Sequence, residues 1–194
     1  MRGSHNRRTV PFRRKREQRT DYRQRLTLLK SQKPRLVVRK SLKHMQAQLV
    51  LFEPAGDKVL ASAHSRELKN SGYNCATSNM SAAYLTGVLL AKKAKDKTIK
   101  HAVVDLGLYA RSLKSNLFAV VKGARDGGLD VPADESALPS DERVAGAHVA
   151  AYAALLKKQD PKRYEKQFSW YLKNKVDPES IVAQVKATKQ RLVA

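Results

Sequence analysis

The sequence predicts an α/β protein: an antiparallel β-meander joined to a helix–strand–helix layer, with a disordered basic N-terminal tail before it and a helical C-terminal appendage after it. Three observations predict this. Residues 35–65 form three short β-rich runs separated by turn residues. Residues 80–126 change to helical spacing around one further β-rich run. Two Asp-Pro pairs, Asp160-Pro161 and Asp177-Pro178, each open a helical pattern with the residue order of a capped helix start. The implied divisions are a tail over 1–20, a core over 21–132 and an extension over 133–194.

The elements follow in order. Residues 1–20 carry Arg7-Arg8, then Arg13-Arg14-Lys15-Arg16 and Arg19, with no apolar periodicity before Leu26. Such a stretch cannot bury enough surface to offset its chain entropy, so it is expected to be disordered without a partner. Residues 20–33 place Tyr22, Leu26 and Leu29 near helical spacing, which predicts a short basic helix that Pro34 ends. Residues 35–40 predict a strand and residues 41–44 a turn. Residues 45–52 return as a second strand, with Gln46 and Gln48 alternating with Ala47 and Leu49. Pro54-Ala55-Gly56-Asp57 turns the chain into a third strand over 58–65. The polar face of this meander would carry Arg35 and Arg39, with Gln46 or Gln48.

Ser78 or Asn79 can cap a helix over 80–95. Its lysine-rich end (Lys92, Lys93, Lys95, Lys97) suits a helix C-terminus whether or not it has another role. Residues 99–106 predict a buried strand, and 114–126 a helix stopped by Gly127-Gly128. After an acidic loop, a helix is expected from Ser140 or Asp141 to about residue 158, followed by the two Asp-Pro helices. This appendage packs either on the core or on a partner.

Charge bounds the function. The chain has 194 residues, 39 Lys and Arg against 17 Asp and Glu, and a net charge of +22. Residues 1–40 hold 15 basic and 2 acidic residues, more than half of the excess in about a fifth of the chain. Such a balance points to a polyanion, with nucleic acid ahead of an anionic membrane. No apolar run approaches the roughly 20 residues of a membrane helix, and the basic N-terminus lacks the apolar stretch of a signal peptide. A soluble intracellular protein is expected.

Chemistry has little to work with. Cys75 is the sole cysteine, so no internal disulfide or multi-cysteine zinc site is possible. The five histidines show no ligand spacing. The glycines of Gly123-Ala124-Arg125-Asp126-Gly127-Gly128 lack the order of a phosphate-binding loop. Asp105, Asp126 and Asp130 leave open a metal-dependent nuclease, with Asp105 at a strand end. Neither a cofactor, a metal nor a small-molecule substrate is expected. In the tail, Arg outnumbers Lys, and guanidinium suits bidentate phosphate contact. Phe12 and Tyr22 lie among the arginines and can stack on unpaired bases. A solvated, import-like charge run remains the bland alternative.

Several blocks carry a resemblance. Residues 20–31, then Lys33-Pro34-Arg35-Leu36-Val37-Val38-Arg39-Lys40-Ser41, Lys43-His44 and Ala47-Gln48 resemble the family of large-subunit ribosomal protein eighteen. The basic run 11–17 and the stretches 62–68, 118–124 and 126–132 resemble its archaeal and eukaryotic branch, as do Arg143, Gly146, His148, Ala150 and Tyr152. The short C-terminal appendage looks archaeal. Ala133, Ala147 and the loop 109–115 depart from the family pattern.

The resemblance implies a structural, non-enzymatic constituent of the large ribosomal subunit, acting in the cytoplasm within the ribosome. Its implied partners are 5S ribosomal RNA, nearby large-subunit RNA of the central protuberance and the neighbouring ribosomal protein of the 5S particle. The residues expected at RNA are the tail and first helix (Arg7, Arg8, Phe12, Arg13, Arg14, Lys15, Arg16, Arg19, Tyr22, Arg23, Arg25) and the platform (Lys33, Arg35, Arg39, Ser41, Lys43, His44, Gln48), with Arg111 and Lys114 at one sheet end. A sequence-independent, chromatin-like DNA-binding protein is the alternative that charge alone would allow.

Overall fold

The computed structural model describes residues 10–110 and 112–193. Four strands, β1 (Arg35–Lys40), β2 (Met45–Leu51), β3 (Lys58–His64) and β4 (Val103–Asp105), form one sheet in the order β3-β2-β1-β4. The first three make the predicted antiparallel meander, and β4 joins β1 in parallel. β4 is shorter than the run 99–106 predicted. Its ladder starts where the Val103 amide donates to the Pro34 carbonyl (2.9 Å), and His101 bridges to Asp130 instead.

Leu36 and Val38 of β1, Met45, Ala47 and Leu49 of β2, and Ala61 and Ala63 of β3 are buried in one core. The strand alternation therefore turns Arg35, Val37 and Arg39 to the other face. The core is closed by α3 (Met80–Lys95) and α4 (Asn116–Asp126). Asn79 caps α3, accepting from the Ala82 amide (2.7 Å). Ser81 to Val88 are buried without a break, so α3 is buried all round rather than along one stripe. Small residues permit this. A Cβ on Gly87 would lie 2.1 Å from the Val120 carbonyl oxygen, and one on Gly123 would lie 2.0 Å from that of Tyr84. The two helix backbones touch where these glycines cross.

The C-terminal region packs against α3 through α5 and α9. The single helix predicted over 140–158 is two, α5 (Asp141–Ala145) and α6 (Ala147–Gln159). Gly146 breaks it with φ +86°, and a Cβ there would lie 3.1 Å from Ser81 Oγ and 3.2 Å from Ile181 Cγ2. The Asp160 helix is likewise divided into α7 (Pro161–Gln167) and α8 (Ser169–Lys173). Asp177 and Pro178 start a 3-10 turn that leads into α9 (Ile181–Val193). Ile181, Val185 and Leu192 enter the same core as the sheet residues, so the appendage is built onto the α/β layer. Cys75 is buried there, its thiol donating to Gln184 Oε1 (3.4 Å). Burial pushes the thiol up to about 11.

The edge strand β3 is covered by α3. Lys93 Nζ donates to the Ser62 carbonyl (2.7 Å) and pairs with Glu67, and Lys97 Nζ donates to the Leu60 carbonyl. The lysine-rich helix end thus has a specific task beyond complementing the helix dipole.

At the N-terminus the described residues include α1 (Arg13–Arg16) and α2 (Tyr22–Leu29). The helical turn α1 lies within the stretch expected to be disordered. It buries nothing, and Arg14 Nε donating to Thr20 Oγ1 (2.9 Å) and the Phe12–Tyr22 ring pair (5.2 Å) connect it to α2. Arg7 and Arg8 lie outside the described residues, as does Arg111.

Candidate nucleic-acid interface

Strand register assembles the open face of the sheet row by row. Arg39 pairs in register with Gln46, and Gln46 with His64. In the next row Asp105, Val37, Gln48 and Ser62 follow one another across the four strands. Both glutamines therefore lie on this face, and Gln46 is the more exposed. An amide, a guanidinium and an imidazole spaced by the strand repeat can hydrogen-bond 2′-hydroxyls, phosphates or base edges. Gln46, Ser62 and His64 are additions to the predicted site. The alternation of β2 and β3 carried that signal once the register was known.

The platform has a built foundation. Arg25 Nη2 meets both carboxylate oxygens of Asp57 (2.8 and 2.9 Å). Arg35 Nη2 reaches the same Asp57 (2.6 Å), while its Nη1 reaches Asp105 (2.8 Å). Arg39 Nη2 approaches Asp105 (3.4 Å), and its Nη1 donates to the Asp105 carbonyl (3.0 Å). Five charges of alternating sign run from α2 to the far end of β1. Arg35 was expected to touch RNA, but it is 3% exposed and doubly paired. Its physical role is to hold Asp57 and Asp105, which in turn orient Arg25 and Arg39. Its Nε has no partner among the described residues.

Burial would raise the Asp57 carboxyl, but the hydrogen bonds and charges of Arg25 and Arg35 outweigh it and hold the group below its ordinary 3.8. The stabilisation is thus present above that value and is lost as pH falls through the lowered one.

The three carboxylates weighed for a nuclease each have a partner in this structure. Asp105 is taken by Arg35, Arg39 and the Gly107 amide (2.9 Å). Asp126 accepts from the Tyr84 hydroxyl (2.7 Å), and Asp130 pairs with His101 (2.7 Å). Among the described residues no group of three or more His, Cys, Asp or Glu could hold a metal ion.

The turn after β1 forms the second corner. The Ser41 hydroxyl closes it, donating to the His44 carbonyl (3.1 Å) and accepting from the His44 amide (3.0 Å). Ser41 therefore shapes the turn, and Lys43 stands exposed on it. The Thr77 hydroxyl donates to the Lys43 carbonyl (2.7 Å) and lies 3.1 Å from His44 Nδ1, and the Ser65 hydroxyl lies 3.3 Å from the same nitrogen. The His64 ring lies 4.8 Å from that of His44. Burial first, then the charges of His64, Arg66, Lys43 and Lys69, hold His44 below its ordinary 6.5.

The remaining predicted residues are distributed around this face. Arg13, Arg14, Lys15, Arg16, Arg19 and Arg23 are exposed, Arg13 and Arg19 sharing Glu17 at 3.6 and 3.5 Å. Phe12 is exposed and Tyr22 half-buried. Lys33 is exposed just before β1. Lys114 is exposed at a left-handed position (φ +56°) in the loop before α4. No described helix is long and apolar enough to cross a membrane.

Helices on one face of a sheet, with an open polar second face and a cationic rim, define the class: a basic α/β protein with one uncovered polar sheet face. Comparison with known proteins narrows this. A family described as "Ribosomal large subunit proteins 60S L5, and 50S L18" matches residues 6–101. Over 184 residues the chain is 48% identical to the large ribosomal subunit protein uL18 of Methanococcus maripaludis, covering 95% of each chain. The chain belongs to the uL18 family of structural large-subunit ribosomal proteins, in its archaeal form.

Proposed function

We propose that this chain binds 5S ribosomal RNA and helps to attach it to large-subunit RNA in the central protuberance, beside a neighbouring ribosomal protein of the 5S particle. On this reading it acts in the cytoplasm, within the ribosome, and without a cofactor. The observation that carries the reading is the row Arg39–Gln46–His64, flanked by exposed Lys43 and continuous with the arginines of α1 and α2, in a chain of this family. The rows supply shape and 2′-hydroxyl recognition. The tail supplies phosphate neutralisation, which is strongly salt-dependent.

The test is a competition titration. Labelled 5S RNA is bound at about 0.15 M salt, where generic contacts are weak, against excess transfer RNA and duplex DNA. Retention of 5S RNA is expected. Equal loss to every competitor would leave only charge being read and would favour the chromatin-like alternative.

His44 gives a second expected result. A phosphate near the ring favours its protonated form, so binding RNA raises the His44 value and takes up a proton. Affinity should rise as pH falls from 8 to 5.5 at constant salt, towards a ceiling of about tenfold where RNA lifts the His44 value by about one pH unit. His44→Gln should flatten the profile. The free protein behaves oppositely, because a lowered value stabilises the fold above 6.5 and that stabilisation is lost as pH falls. A wild-type affinity that is flat in pH would remove His44 from the interface.

A further inference from the structure

We propose that the cavity between α2 and the sheet takes one unpaired nucleotide of the bound RNA, its base stacked on the Arg39 guanidinium and its phosphate held by Arg14 and Arg19. The inference rests on the RNA-binding reading and adds to it a specific site. The cavity measures about 450 Å³ and lies against Arg39, Gly107, Leu108, Tyr22, Arg14 and Arg19. That volume falls within the range of about 300–1,000 Å³ typical of small-ligand sites.

The floor is a prepared plane. One face of the Arg39 guanidinium lies on the Gly107 backbone, where a Cβ would come within 3.1 Å of Cζ. Gly107 has φ +64°, a conformation that suits glycine, so the missing side chain and the backbone turn serve the same contact. Hydrogen bonds from Nη1 to the Val38 carbonyl (2.8 Å) and the Asp105 carbonyl (3.0 Å) fix the plane. The side chain is still 41% exposed, which leaves its other face available. Guanidinium planes of this kind are stacking platforms for unpaired bases.

The charges suit a nucleotide. Arg14 uses Nε on Thr20, and its terminal nitrogens have no partner among the described residues. Among the described residues the Arg19 side chain makes only a long contact to Glu17 (3.5 Å), and it is largely exposed. The acidic residues in the wall are already engaged: Asp57 and Asp105 by arginines, and Asp21 by the amides of Arg23 and Gln24 (2.9 and 3.2 Å). The cavity therefore presents cations and a flat π-acceptor surface with little competing negative charge.

Base-by-base chemical probing of 5S RNA, free and bound to the full chain, tests the proposal. Dimethyl sulfate and a carbodiimide report the unpaired bases. Wild-type protein should shield one unpaired base that Leu108→Trp re-exposes at least about fivefold, while the rest of the footprint stays. Leu108 is 56% exposed, so tryptophan there fills the cavity rather than the core. Arg39→Lys, which keeps the charge and removes the plane, should re-expose the same base, and melting curves establish that each variant is folded. A wild-type footprint unchanged by both variants overturns the nucleotide site alone. No wild-type footprint overturns the 5S reading and this proposal together. Adenosine and uridine monophosphates, titrated by saturation-transfer NMR, separate the sources. Binding of a free nucleotide below about 10 µM that Leu108→Trp abolishes would assign the cavity to a free ligand and overturn the RNA assignment.

Discussion

Gly123→Ala is expected to destabilise the free protein by about 3 kcal/mol, although the same change in an exposed helix would stabilise it by about 1 kcal/mol. The sign reverses because of what the new methyl group meets. A Cβ at 123 would lie 2.0 Å from the Tyr84 carbonyl oxygen and 2.9 Å from its carbon. These are backbone atoms of α3, and no rotamer change can move them aside. Relief requires α3 and α4 to separate, which loosens the contacts of Leu85, Val88, Val120 and Val121, all buried. For a chain of this size the loss corresponds to a fall in melting temperature of about 6–12 °C. Gly87→Ala, facing the Val120 carbonyl oxygen at 2.1 Å, should behave alike. A fall below about 2 °C for both would show that the helices are not locked at this crossing.

The second large effect is expected at Asp105. Asp105→Ala removes one of the two acceptors of a guanidinium that is 3% exposed. Breaking a buried pair from one side costs about 3–5 kcal/mol, because the remaining charge is left uncompensated. Asp57 still holds the other terminal nitrogen, so the loss should fall at the lower end of that range. Combining Asp105→Leu with Arg35→Met removes both charges and should recover a large part of the loss. Denaturant melts of the two single variants and the double variant measure the coupling, expected at about 2–3 kcal/mol. Additive losses would mean that the pair is not a unit. The experiment also separates support from contact. Arg35 is buried, so its effect on RNA should come through the geometry of Arg39 and Arg25.

The sequence was most informative where local chemistry and burial agree. β1 over 35–40 and α3 over 80–95 form where they were predicted, and Asn79, Asp160 and Asp177 cap their helical turns. The open face was legible from alternation, though the choice between Gln46 and Gln48 dissolved once the register placed both on one face. The fate of Arg35 was not legible. Its partners Asp57 and Asp105 lie 22 and 70 residues away, and a basic residue in a strand gives no local sign of being buried. Residues 99–102 read as strand only as the lead-in to Val103-Val104, but they run beyond the start of β1 and have no strand to pair with. The break at Gly146 had a visible glycine. Its cause, the approach of Ser81 and Ile181, is tertiary.

The lysines along β3 have a consequence for the free protein's life before assembly. A chain of net charge +22 is kept from its own copies by repulsion. A bound polyanion would cancel that protection. An uncovered strand edge would then invite sheet-to-sheet pairing between copies. Lys93 and Lys97 occupy two carbonyls of that edge, and at the opposite side of the sheet β4 offers only three residues. Solubility here is therefore guarded twice, once by long-range charge that RNA can cancel and once by local hydrogen bonds that it cannot.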